Sequence, residues 1–147
     1  MPFNPRFPMS PQICLENNDL STALMGFLNQ YADEHIGPQS ASSFQFAARD
    51  DVGNLLGGVT GRLAHGVLSV QLLALAPGAR RAGLGAQLLK TLETAAIDQG
   101  ATVARVDTLE FEAPDFYQKQ GYKIFGIIGD LVGRRQYFLS KSLVASK

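Results

Sequence analysis

Phe44, Phe46 and Ala48 alternate with Gln45, Ala47 and Arg49, the two-residue period of a half-buried strand. Asp50-Asp51-Val52-Gly53-Asn54 follows as a hairpin loop, and Leu55–Leu63 returns as the next strand. Gly57 and Gly58 inside that strand predict a bulge or a close backbone neighbour. Ala64-His65-Gly66 turns again into Val67–Leu75, a nearly continuous apolar run. Such a run predicts a central strand covered on both faces. Pro77 and Gly78 stop it, and Leu84, Leu88, Leu92 and Ala95 then recur at helical spacing up to Gly100, a C-cap residue. Val103–Leu109 reads as a strand. Pro114 and Asp115 open a short helix that ends at Gly121. Tyr122–Ile128 and Arg135–Leu143 make two closing strands joined by a glycine-bearing loop. Upstream, Ile13–Leu15 suggests a short first strand, and Asn17, Asn18 and Asp19 offer helix caps. Leu20, Leu24, Phe27, Leu28 and Tyr31 form a helical stripe that Gly37-Pro38 ends.

The order is β, helices, three antiparallel strands, helix, β, helix, ββ. It predicts an α/β (mixed α+β) domain around one twisted mixed sheet of six to seven strands, with helices on both faces. The 147 residues suit a single domain over 12–147. Residues 1–11 carry a proline at every third position, Pro2, Pro5, Pro8 and Pro11. This is the polyproline II period, and we expect an extended leader. Thirteen basic residues balance thirteen acidic ones, so net charge favours neither nucleic acid nor an anionic membrane as a partner. With no apolar stretch of spanning length and no signal-peptide pattern, the expected location is cytoplasmic. Cys14, alone of its kind and within an apolar run, is expected as a small buried hydrophobe. His35 and His65, isolated and far apart, predict no metal site. His65 fits a hairpin turn, and Asp33 and Glu34 fit a solvated helix end as well as a site for a cationic acceptor.

The chemistry concentrates at Arg80-Arg81-Ala82-Gly83-Leu84-Gly85, where a strand feeds a glycine-punctuated turn that opens a helix. Several backbone N–H groups then point at one place with the positive end of the helix dipole behind them. That is an anion site suited to a phosphate or pyrophosphate. A P-loop reading fails because no Lys-Ser or Lys-Thr follows the glycines. A dinucleotide-binding reading fails at its third glycine, where Leu88 stands, and at its place in the chain. R-x-x-G-x-G at a helix start remains, the form in which acyl-coenzyme A acyltransferases hold a pyrophosphate, beside a plain strand-to-helix turn with incidental arginines.

Two linked motifs bear on that choice. The first is Leu73-Ala74-Leu75-Ala76-Pro77-(x)2-Arg80-(x)2-Gly83-Leu84-Gly85, and the second is Ala113-Pro114-Asp115-Phe116-Tyr117-Gln118-Lys119-Gln120-Gly121-Tyr122. Together, from about Phe44 to Leu143, the chain resembles the general-control-related N-acetyltransferase (GNAT) superfamily. The resemblance implies a GNAT-like fold and transfer of an acyl group, acetyl by default, from acetyl-CoA to a primary amine, with no metal. It implies a CoA site built from Leu73, Ala74, Leu75, Arg80, Arg81, Ala82, Gly83, Leu84, Gly85, Ala86 and Tyr117. It further implies that the strands Val67–Leu75 and Val103–Leu109 diverge around the pantetheine arm, and that Tyr117 is the general acid for the CoA thiolate.

The general base is less well marked. Where the family often has a glutamate, this chain has Gln71, whose amide accepts no proton at neutral pH. On simple alternation Gln71 shares a face with Ser69 and Leu73 and could orient the acceptor or a water. Glu110 and Glu112 are further candidates for the base, with solvated loop carboxylates as the competing reading, and the family's frequent asparagine in this region is missing from Thr108–Glu112. A catalytically degenerate acyl-CoA sensor is therefore the alternative to an enzyme, and a nucleotide-binding module is a third reading. The acceptor is expected to be a small molecule, and an exposed final strand would allow a homodimer by edge pairing.

Overall fold

Tight turns set the register of the first three strands. Asp50 accepts hydrogen bonds from the backbone N–H groups of Val52 and Asn54 and from the Asn54 side chain, closing the first hairpin. His65 and Gly66 both have positive φ, 55° and 78°, as a two-residue hairpin turn requires. In a computed structural model that describes residues 10–37, 40–80, 83–112 and 114–144, these turns link β1 (Ala41–Arg49), β2 (Leu55–Ala64) and β3 (Val67–Leu75). Then come α2 (Leu84–Asp98), β4 (Val103–Leu109), α3 (Pro114–Lys119), β5 (Lys123–Ile128) and β6 (Gln136–Ser142), all after a helix α1 (Ser21–Ile36). Single 3₁₀ turns lie at Pro77–Ala79 and Glu110–Glu112.

The chain divides into two compact units, Met1–Pro38 and Gln39–Lys147. In the first, the Asp19 carboxylate accepts the Ser21 N–H at 2.8 Å, and Gly37 (φ 81°) ends α1. Ile13–Leu15 is not a strand, and Cys14 is exposed. Both findings correct the expectation, for one reason: the apolar run has no strand partner and so no core to enter. His35 packs its ring on Tyr31 (4.1 Å) and bonds that residue's carbonyl through Nδ1. No described helix is long and apolar enough to cross a membrane. The expectations for residues 1–9, Pro38 and Ala113 fall outside the described residues.

The second unit holds a six-stranded mixed sheet in the order β1-β2-β3-β4-β6-β5, as expected of an α/β fold. Only the β3–β4 pair is parallel. β6 inserts between β4 and β5, so the edge at that end is β5 and not the final strand. Edge pairing through the last strand is thereby excluded, because both of its sides already carry ladders.

α2 packs across β1, β2 and β3. It buries Gly85, Leu88, Leu89, Leu92, Glu93 and Ala96, a face rotated slightly from the predicted one and including an acid. Leu92 reaches β2 because Gly61 has no side chain: a Cβ there would lie 2.9 Å from Leu92 Cδ2 and 3.1 Å from Leu68 Cδ1. Gly57 likewise allows close pairing, since its Cβ would lie 2.7 Å from the Ala74 carbonyl oxygen. Leu68, Leu89, Leu92, Ala104 and Leu139 form the centre of the core.

Gly61→Val should therefore overpack the α2–β2 contact and cost about 1–3 kcal/mol of stability. Urea denaturation checks this. An unchanged midpoint would show that the contact has room to spare.

Candidate functional site

The β3–β4 ladder has only three pairs, Val67↔Val103, Leu68↔Ala104 and Ser69↔Arg105. Both strands continue past it, β3 to Leu75 and β4 to Leu109. Beyond Ser69 the two strands are no longer paired, which leaves their inner edges open to a cleft. β3 is meanwhile held to β2 as far as Gly57↔Leu75.

A bulge lies where the strands separate. Thr60 pairs with Leu72 and Gly61 with Val70, which leaves Gln71 as the extra residue of β3. The bulge reverses the side-chain alternation. Leu68 and Val70 face the core before it, and Leu73 and Leu75 pack against the core after it. Gln71 therefore does not share a face with both Ser69 and Leu73, because those two residues lie on opposite faces. Leu72 is 69% exposed, so the apolar run of β3 is not covered on both sides. Its second half borders the cleft instead.

α2 begins at the mouth of this cleft. Gly83 is its N-cap residue, with φ 69° and ψ 16°, and a Cβ built there meets nothing within 4 Å. Glycine is needed for the left-handed backbone, and the space above it is open. Arg80 is exposed beside it, while Arg81 and Ala82 lie outside the described residues. Gly85 brings three elements together: a Cβ there would lie 3.4 Å from the Phe116 ring and 3.7 Å from Leu75 Cδ1. The end of β3, the first turn of α2 and the first turn of α3 thus meet at one point. Leu73, Ala74 and Leu75 lie at the end of β3 and Leu84, Gly85 and Ala86 in the first turn of α2, with Arg80 and Gly83 in the connection between them.

Tyr117 is buried in α3, 7% exposed. Its ring meets Phe116 edge-on at 5.1 Å and Tyr122 at 5.7 Å. The C-terminus of α3 explains the second contact. The Tyr122 N–H donates to the Tyr117 carbonyl and the Gly121 N–H to the Gln118 carbonyl, both at 3.0 Å, with Gly121 at φ 95°. This is the Schellman cap, which sets the residue after the glycine against the third-last helical residue.

Glu110 is engaged elsewhere. It accepts hydrogen bonds from the Gly133 N–H and from the Tyr137 hydroxyl (3.1 Å), lies 4.0 Å from Arg135, and donates its own N–H to the Arg135 carbonyl. It ties the end of β4 to the β5–β6 loop. The side chain of Glu112 lies outside the described residues. Among the described residues no three His, Cys, Asp or Glu side chains gather as metal ligands do.

A model of the acetyltransferase (GNAT) domain matches residues 41–124. The chain belongs to the GNAT acetyltransferase family. It is similar to blasticidin-S acetyltransferase of Streptomyces morookaense, 40% identical over 79 residues, 53% of this chain and 58% of that relative. The match thus spans somewhat over half of that relative's length. A crystal structure of an acetyltransferase from Bacillus cereus superposes with a TM-score of 0.78 at 27% identity, covering 88% of this chain and 97% of that one. An aminoglycoside 6'-N-acetyltransferase, solved in complex with coenzyme A, shares the fold (TM-score 0.61, 17% identity, 80% of this chain and 81% of that one).

In this member of the GNAT family, sequence reasoning missed Glu93. The residue sits on the core-facing side of α2, 6% exposed. Its Oε2 accepts from the Tyr122 hydroxyl at 2.7 Å and its Oε1 from Lys141 Nζ at 2.9 Å. The signal was faint: an acid within an apolar stripe, whose partners lie 29 and 48 residues away. Burial pushes the Tyr122 phenol well above the ordinary tyrosine range, and the hydrogen bond and charge of Glu93 push it further.

A raised folded value means stability fully present below the unfolded value, about pH 10, and lost as pH rises beyond it. The melting temperature should therefore fall above about pH 10, and Tyr122→Phe should fall less steeply. Circular dichroism melts across that range check this, and equal slopes would contradict it.

Proposed function

We propose that this acetyltransferase moves an acetyl group from acetyl-CoA to the primary amine of a small molecule. The observation that carries the reading is the convergence of three elements: an open helix N-terminus at Gly83, a cleft between β3 and β4, and the helix bearing Tyr117. The main-chain N–H groups that open α2, with its dipole and Arg80, suit a diphosphate. The parted edges of β3 and β4 offer main-chain groups to the amides of a pantetheine arm, as an added strand would. A groove of about 380 Å³ between α2 and α3, with Lys90 and Lys119 on its walls, suits the phosphorylated nucleotide end.

The amine nitrogen attacks the thioester carbonyl, forming the new C–N bond. A backbone N–H near Leu73 stabilises the oxyanion. Collapse breaks the C–S bond, Tyr117 gives its hydroxyl proton to the departing thiolate, and the proton shed by the new amide nitrogen passes through water to restore the phenol. Gln71, re-aimed by the bulge, orients the acceptor or a water. Glu110 is held at the β5–β6 loop by the Gly133 N–H and the Tyr137 hydroxyl, so the acceptor enters as the free amine. The similarity to blasticidin-S acetyltransferase makes blasticidin S the first acceptor to try. Gln71, standing where the family often has a glutamate, favours as second reading an acyl-CoA sensor without turnover.

Thiol release from acetyl-CoA with blasticidin S, an aminoglycoside and spermidine decides between them. We expect turnover on at least one amine. Protection against heating by CoA, with no thiol released on any amine, would favour the sensor. Tyr117→Phe should lower kcat by about 10²–10⁴ with CoA affinity little changed. Gly83→Val, which forces a branched residue to positive φ and fills the open space, should weaken CoA binding at least about tenfold by calorimetry. Arg80→Ala should weaken it less.

A further inference from the structure

We propose that Glu93 is a positioning residue for acyl transfer, holding the ring of Tyr117 in place through Tyr122. The inference rests on the reading of Tyr117 as the acid. The cap of α3 fixes the backbone of Tyr122 against Tyr117, but a backbone bond does not fix a ring. The Tyr122 ring is pinned at its far end by the 2.7 Å bond to Glu93. Tyr117 packs edge-to-face on that pinned ring on one side and on Phe116 on the other. Phe116 in turn abuts Gly85 in the first turn of α2.

Packing alone does not call for this arrangement. A carboxylate on the core face of a helix loses hydration, and an apolar pair at 93 and 122 would fill the same space without that cost. Here two donors offset the loss, Tyr122 and Lys141, and the Lys141 stem crosses over Gly121, whose Cβ would lie 3.4 Å from its Cε. What the polar version adds is a fixed distance. Glu93 lies nine residues beyond Leu84 on α2, the helix whose first turn we assign to the diphosphate. The Glu93–Tyr122 bond is thus a polar tie between the element that holds CoA and the element that carries the acid. Proton transfer tolerates a misplacement of only about 0.5 Å, which a slipping ring would exceed.

The test is a mutant cycle read by thiol release, using the amine that gives the fastest turnover. Tyr122→Phe keeps the ring and removes its tether. We expect kcat to fall about tenfold while KM for acetyl-CoA stays within about twofold, and the same substitution in a Tyr117→Phe background to cost less than about twofold more. Glu93→Leu should behave like Tyr122→Phe. Glu93→Gln keeps an acceptor for the phenol and should retain most of kcat. Thermal melts confirm that each variant is folded at the assay temperature. The proposal is overturned if Tyr122→Phe and Glu93→Leu lower only the melting temperature. It is equally overturned if Tyr122→Phe costs the same factor with and without the Tyr117 hydroxyl. Full activity in Tyr117→Phe alone, or no turnover on any amine, instead overturns the reading beneath it.

Discussion

The unequal hold on β3 is the constraint on which the rest of the structure depends. One side of the strand is zipped to β2 along its whole length, and the other meets β4 at only three positions. Backbone N–H and C=O groups need partners, so an interrupted ladder is stable only where water or a ligand supplies them. The bulge at Gln71 sits where the ladder ends and turns the following residues over. Leu73 and Leu75 can then keep packing on the core while their main chain borders the cleft. A straight β3 with unbroken alternation would have put those leucines on the other face.

The cleft matters chemically because two helices are brought to it by close packing. α2 lies low on β2 because Gly61 admits Leu92, and its first turn touches α3 because Gly85 leaves room for Phe116. The first turn of one helix and the helix that bears the Tyr117 phenol are thereby brought together beside the end of β3. Glu93, Tyr122 and Lys141 join these parts by polar contacts among α2, the cap of α3 and β6. At the far end of β4, Glu110 stabilises the β5–β6 loop.

The sequence by itself determined the local pieces. Asp50 and Gly53 closed a hairpin, His65-Gly66 closed another, and Gly121 capped α3, because each of these conformations depends on one or two residue types. The 3.6-residue period located α2, and the spacing of Arg80, Gly83 and Gly85 marked the turn that opens it. Tyr117 was legible as a candidate acid from its motif. Only the tertiary structure decided the rest. Neither the bulge at Gln71 nor the early end of the β3–β4 ladder leaves a local mark, since both are set by which strands lie on either side. The insertion of β6 beside β4, the exposure of Cys14 and the engagement of Glu110 were decided in the same way. So was the pairing of Glu93, an acid whose partners come from 29 and 48 residues downstream. Local dihedral preferences are written residue by residue, whereas the pairing of distant strands and the neutralising of a buried charge exist only once the chain has closed on itself.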